Sequence, residues 1–185
     1  MKLFLVVAAA LCFAALSISG NSAALAALTG KTQPKEITLG KDAKATGQGS
    51  KSVHFTHEAH ATKNYSADGK SVIGCAECHH TDQPKSALKG VLKTSERDEM
   101  LTTASLEKAD AKPVKGCREC HAQTGAKPAS WPAIPEVTYP DESDPTVLAN
   151  DEAYHRNCNV CHEAVKKRDA ATKAPQTCVQ CHNGA

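Results

Sequence analysis

The sequence predicts a mostly irregular chain with a few short helices, organised around covalently bound groups instead of a side-chain core. Three observations predict it. One cysteine-histidine pentapeptide occurs four times along the chain. Large apolar side chains are scarce after the first two dozen residues. Proline is dense in one stretch, which excludes a continuous helix there.

Residues 1–26 have the pattern of a secretory signal. Lys2 gives a short positive start, Leu3 to Ile18 is an apolar run without charge, and Ala24-Leu25-Ala26 fits a small-x-small cleavage site. Cys12 lies inside that run and is lost with it. The other reading is an uncleaved anchor, for which the run is short and wrongly flanked. What remains is about 160 residues, the length of a single domain. Residues 27–52 are rich in Lys, Thr and Gly and read as an extended segment, with one short strand at Glu36 to Leu39.

Residues 53–185 form the domain proper. Asp68-Gly69 marks a turn before the first pentapeptide. Ser95 to Ala109 has helical propensity, with Met100, Leu101 and Leu106 as a weak apolar stripe. Residues 127–145 contain Pro128, Pro132, Pro135, Pro140 and Pro145 together with Trp131 and Tyr139. This stretch is expected to be extended, as a loop that covers a bound group or as a docking surface. Asp151 to Arg156 and Glu163 to Lys173 read as short helices leading into and out of the third pentapeptide.

The repeated motif is Cys75-Ala-Glu-Cys78-His79, Cys117-Arg-Glu-Cys120-His121, Cys158-Asn-Val-Cys161-His162 and Cys178-Val-Gln-Cys181-His182. Cys-x-x-Cys-His is the attachment signature of a c-type haem. Two thiols add across the two vinyl groups of one porphyrin, and the adjacent His reaches the iron. One copy could belong to a zinc site. Four copies use every cysteine left after the signal, so the expectation is four covalently attached haem c groups. An exported chain with eight cysteines would otherwise suggest disulfides, but the fixed spacing and trailing His argue against them.

Composition agrees with a haem-filled interior. After the signal the only Phe is Phe55, the only Trp is Trp131, and the tyrosines are Tyr65, Tyr139 and Tyr154. Such a chain cannot readily offset its backbone entropy by side-chain burial. A porphyrin exceeds any side chain in area, and burial contributes about 25 cal/mol per Å². The formal charge of +2 gives no reason to expect nucleic acid. Haem propionates would add about eight negative charges, enough to shape association.

Nine histidines are present. His79, His121, His162 and His182 are the motif ligands. His54, His57, His60, His80 and His155 remain for four sixth positions, one more than needed. Met100 is the only methionine after the signal, so both axial ligands should be His at every haem, which keeps potentials low. On a helical turn, a spacing of three sets two side chains on one face. His54 and His57, or His57 and His60, could then serve neighbouring haems. His79 and His80 are adjacent and point apart, so they would bridge two haems.

Val53-His54-Phe55-Thr56-His57-Glu58-Ala59-His60 and the doubled His79-His80 resemble the class III cytochromes c, the tetrahaem cytochrome c3 family. Tyr154-His155 ahead of Cys158 is similar to that family's last distal ligand. The resemblance runs from about Val53 onward. It implies a multihaem cytochrome c fold, wrapped around four haems. The implied pairs are His57 with His79, His80 with His121, His60 with His162, and His155 with His182, which makes His54 the spare. Departures are the uniformly short cysteine spacing, a long gap from His60 to Cys75, and the proline-rich insertion.

The resemblance also implies a role: a periplasmic, low-potential electron carrier of anaerobic respiration, not an enzyme. Its partners would be redox proteins such as a hydrogenase, a formate dehydrogenase, or membrane and outer-surface cytochromes. No membrane span is expected after signal removal. Two other classes remain beside it. A secreted filament subunit would stack its haems into a wire and could be a homo-oligomer. A multihaem reductase would need one open iron position.

Overall fold

The structure is a computed structural model, and it describes residues 32–41, 47, 51–123 and 129–184. The signal segment 1–26 lies outside the described residues, as does part of the segment 27–52.

The first element is a two-stranded ribbon. β1 (Ile37–Leu39) pairs antiparallel with β2 (Val53–Phe55), with Ile37 opposite Phe55, Thr38 opposite His54 and Leu39 opposite Val53. The period of two in a strand explains its faces. Ile37, Leu39, Val53 and Phe55 are half-buried on one side, while Thr38 and His54 point to solvent on the other. The expected strand at Glu36 to Leu39 is present, one residue shorter. Of the two histidine spacings of three, only the second falls on a helix. β2 ends at Phe55, and α1 (His57–Thr62) begins after Thr56, so only His57 and His60 share a helix.

The turn at Asp68-Gly69 forms as expected. Gly69 has φ +71° and donates its N–H to the Ser66 carbonyl at 2.8 Å. Asp68 Oδ1 accepts from Ser66 Oγ at 2.6 Å and from the Lys70 N–H at 3.0 Å. A Cβ at Gly69 would lie 2.8 Å from the Arg168 guanidinium, which donates to the carbonyls of Ser66 and Ala67. The turn needs glycine for its φ.

α2 (Cys75–Cys78) carries the first motif. A buried knot follows. Asp82 and Arg97 form an ion pair with side chains 5% and 9% exposed. Arg97 Nη2 also donates to the Lys112 carbonyl at 2.9 Å, and the Glu96 N–H to the Thr81 carbonyl at 2.8 Å. This knot is why the expected helix over Ser95 to Ala109 shrinks to one turn, α3 (Thr103–Leu106). Ser95 Oγ is bonded to the Gln83 carbonyl, so the first residues are held by tertiary contacts that override propensity. Thr102 caps α3, with its Oγ1 accepting from the Ser105 N–H at 3.0 Å and its N–H donating to Ser105 Oγ at 2.8 Å. Of the stripe, Leu101 is buried and Met100 is exposed.

The second motif lies on a 3-10 turn, Cys117–Glu119. The described part of the proline-rich stretch is extended, as expected, and leads into a hairpin. β3 (Glu136–Val137) pairs antiparallel with β4 (Thr146–Val147). Then comes α4 (Asn150–Arg168), 19 residues long. Two short helices were expected here, and the structure corrects that to one. No Gly or Pro interrupts residues 150–168, and Asp151 and Glu152 in the first turn and Lys166, Lys167 and Arg168 in the last suit the helix dipole. The helix stops at Arg168, short of Lys173. α5 (Cys178–Cys181) holds the last motif.

Among the described residues the side-chain core is nearly absent. Buried apolar residues are Ala76, Leu101, Ala111, Ala122, Ala149 and Val165, four of them alanine, and no large side chain is fully buried. The architecture is one of few helices and little sheet, with a single long helix as its spine.

Candidate functional site

Each pentapeptide begins on a helical turn. That geometry sets its two cysteines, three residues apart, on one face, with the His just beyond. The His79, His121 and His182 N–H groups donate to the carbonyls of Cys75, Cys117 and Cys178 at 2.9, 2.8 and 2.7 Å. The third motif is continuous helix inside α4. Local caps support two of the turns. Glu119 Oε1 accepts from the Gly116 N–H at 2.7 Å, and Gln180 Oε1 from the Thr177 N–H at 3.1 Å.

None of the eight motif cysteines is paired in a disulfide. Burial pushes the thiols of Cys75, Cys78, Cys117 and Cys181 up, and Cys158 up to about 11. Cys158 also feels Cys78, Cys181 and Cys117, so one thiol from each other motif lies within its electrostatic reach. The third motif therefore lies near the other three.

The histidines meet in twos. Ring centroids lie 6.2 Å apart for His57 and His79, 6.0 Å for His80 and His121, 6.5 Å for His60 and His162, and 6.2 Å for His155 and His182. Each pair joins one motif His to one His outside the motifs, and together they tie α1 to α2, α1 to α4, the loop after α2 to the 3-10 turn, and α4 to α5. An imidazole nitrogen sits about 2 Å from a bound metal such as zinc. The ring centre lies on the order of 1 Å further out, so two rings on opposite sides of one metal have centroids about 6 Å apart. All four spacings fit that requirement. Among the described residues, no three of His, Cys, Asp or Glu gather as a metal site, which is what a zinc centre would need. His54 joins none of the pairs. Its Nε2 lies 3.6 Å from Glu36 Oε1, on the solvent side of the ribbon.

The other ring nitrogen decides which atom is left for a metal. Nδ1 of His57, His60, His121, His162 and His182 lies 3.0, 2.9, 2.7, 3.0 and 2.7 Å from the carbonyls of Pro34, Thr56, Leu148, Pro175 and Lys51. A carbonyl only accepts, so Nδ1 carries the proton and Nε2 keeps its lone pair. Burial also holds His57, His79, His80 and His162 below the usual imidazole range, in the neutral form that ligates metals. Sequence reasoning missed these acceptors because they are main-chain carbonyls with no residue signature. It also missed two contacts of side chains: the Phe55 ring lies 4.7 Å from His60, and Tyr65 lies 5.4 Å from it on another side. Tyr154 hydrogen-bonds to the Cys117 thiol, and burial raises its phenol well above the usual range.

Among the described residues, no helix is long and apolar enough to cross a membrane. No curated protein and no solved structure is significantly similar to the chain. The model of the class III cytochrome C family matches residues 33–136, more than half of the 185 residues. The match holds the ribbon, His57, His60, the doubled His79-His80 and the first two motifs. Covalent haem c is the group that motifs of this form carry, and thiol pairs with facing neutral imidazoles suit it. The chain belongs to the class III cytochrome c family, the multihaem electron-transfer proteins whose haems are bound covalently.

Proposed function

We propose that the protein is a low-potential single-electron carrier with four bis-His haems. Cys75 and Cys78, Cys117 and Cys120, Cys158 and Cys161, and Cys178 and Cys181 would each hold one haem. The pairs that would ligate the four irons are His79 with His57, His121 with His80, His162 with His60, and His182 with His155. The observation that carries this reading is the set of four histidine pairs near 6 Å, each taking one His from a motif and one from elsewhere.

Bound haem c supplies reversible one-electron exchange at its iron. The chain's own residues do the rest. Two imidazoles would ligate each haem and would leave no place for a substrate, which would favour transfer over catalysis. Five Nδ1–H groups donating to carbonyls make their rings stronger donors, which stabilises the oxidised metal and lowers the potential. Two thiols and two imidazoles would hold each group at four points. A periplasmic location fits the family and the predicted signal. A hydrogenase, a formate dehydrogenase or another cytochrome would then be the exchange partner.

The test is the intact mass and visible spectrum of the exported protein. Four haem masses above the polypeptide are expected, with a low-spin reduced spectrum that carbon monoxide leaves unchanged. Fewer haems, or carbon monoxide binding at one of them, would overturn the reading, the latter in favour of a reductase. Electron transfer to a partner should slow as salt screens a charged docking patch. A salt-insensitive rate with large particles in solution would point to a filament instead.

A further inference from the structure

The hairpin β3–β4 lies beyond the stretch that the family model matches, apart from Glu136, and it does something specific to one histidine. His121 is the most buried of the histidines, 7% exposed. Its Nδ1 donates to the Leu148 carbonyl at 2.7 Å. Leu148 directly follows β4, and its own N–H extends the hairpin ladder to the Pro135 carbonyl at 2.8 Å. The Asn150 N–H returns to the Ala122 carbonyl at 3.2 Å, so the segment after the hairpin bonds both the His121 ring and the residue next to it. This acceptor is therefore placed by the hairpin and not by the motif's own turn.

What holds the hairpin is Arg156 on α4. Its Nη2 donates to Glu142 Oε1 at 2.8 Å, its Nε donates to Glu152 Oε1 at 2.5 Å, and its guanidinium lies 4.2 Å from the centre of the Tyr139 ring. Glu142 Oε2 is in turn bonded to Thr146 Oγ1 at 2.6 Å, inside β4. A planar guanidinium can stack on a ring and bond two carboxylates at once, which a lysine cannot. One side chain of the spine thus holds the loop of the hairpin, and through Glu142 its second strand.

We propose that Arg156 and Tyr139 form a latch that sets the reduction potential of the single haem ligated by His121. The proposal rests on the ligand assignment above. With the latch closed, the Leu148 carbonyl accepts from Nδ1 and raises the donor strength of the ring. With the latch open, the carbonyl withdraws, the imidazole donates less, and the oxidised metal loses stabilisation. Arg156 and Tyr139 are positioning residues that touch no metal.

The experiment is a spectroelectrochemical titration of the holoprotein and its variants. Tyr139→Ala and Arg156→Lys conserve charge, so a shift in them is not a simple field effect. In each, one of the four transitions should move to higher potential. Its oxidised-to-reduced ratio at a fixed electrode potential should fall about tenfold, which is about 59 mV for a one-electron couple. Tyr139→Phe keeps the ring face and should leave all four transitions in place. In the reduced, 15N-histidine-labelled protein, the His121 Nδ1–H should exchange with solvent faster in the two latch variants and at the original rate in Tyr139→Phe. Should Arg156→Lys fold poorly, Tyr139→Ala alone decides. Four unmoved transitions, or four that move together, would overturn the latch. His121→Met separates the two levels. If it moves one transition while the latch variants move none, the latch fails and the ligand assignment stands. If it moves none, the ligand assignment itself fails, and the latch with it.

Discussion

His54 and His57 stand three residues apart, yet a change of backbone state between them separates their roles. His54 alternates outward on β2 toward Glu36, while His57 opens α1 and faces His79. Replacing His57, His60, His80 or His155 with Met should therefore raise one midpoint each, by on the order of 0.1 V, within the ~0.8 V that axial ligation spans. His54→Met should leave all four where they are. A shift at His54 with silence at one of the others would show that the spare is a different residue. The motif cysteines, their histidines and the surplus of one His were visible in the sequence because covalent chemistry dictates residue type and spacing. The carbonyls that orient the rings were not, since any residue supplies one. Nor was the Asp82–Arg97 pair, whose members are 15 residues apart and show no periodic pattern. Arg97→Met keeps bulk but leaves a charged carboxylate buried and unpaired, which costs about 3–5 kcal/mol. That should appear as a lower thermal midpoint, and adding Asp82→Asn should recover much of the loss. Equal midpoints for Arg97→Met and wild type would mean that the knot contributes nothing.

At the scale of elements, α4 departs most from the sequence reading. The third motif suggested a boundary, and the helix runs straight through it. Nothing in residues 150–168 is a breaker, so a motif that elsewhere ends a turn is here absorbed by its neighbours. The helix in turn fixes what its length spans: His155 toward α5, His162 toward α1, and Arg168 against the turn at Gly69. Ala164 lies on the last two turns, outside every motif. Ala164→Gly should cost about 1 kcal/mol and Ala164→Pro about 3 kcal/mol or more, because proline also removes a hydrogen bond and clashes one turn back. Far-UV circular dichroism and thermal melts of the holoprotein measure both. Equal small losses would show that the helix frays beyond His162 and that Arg168 anchors nothing. The short strand at Ile37–Leu39 was legible from its apolar alternation. Its partner β2 was not, because Val53 to Phe55 carries the same residues that open the family's histidine pattern.

At the scale of the whole molecule, the question is what replaces a core. Among the described residues, six buried apolar residues, four of them alanine, set little area against an ordering cost of about 1–2 kcal/mol per residue. Val160 and Val179, the apolar residues inside the third and fourth motifs, are 72% and 58% exposed, so even these do not pack inward. The described residues thus form short helices, two small ribbons and one long helix that meet through histidine rings. Removing one haem should then loosen the segments that converge on it and spare those that do not. Cys117→Ala with Cys120→Ala is the direct case. The mass should fall by one haem, and the thermal midpoint should drop. Amide exchange should quicken at Leu101, Glu96 and Asn150, whose N–H groups close the knot and the hairpin around His80 and His121. Protection should persist within α1 and the middle of α4, where His60 and His162 still face each other. A variant that lost the haem but kept its native midpoint and uniform protection would show that side-chain packing suffices. A variant that lost protection everywhere would show instead that the haems stabilise the fold only as a set.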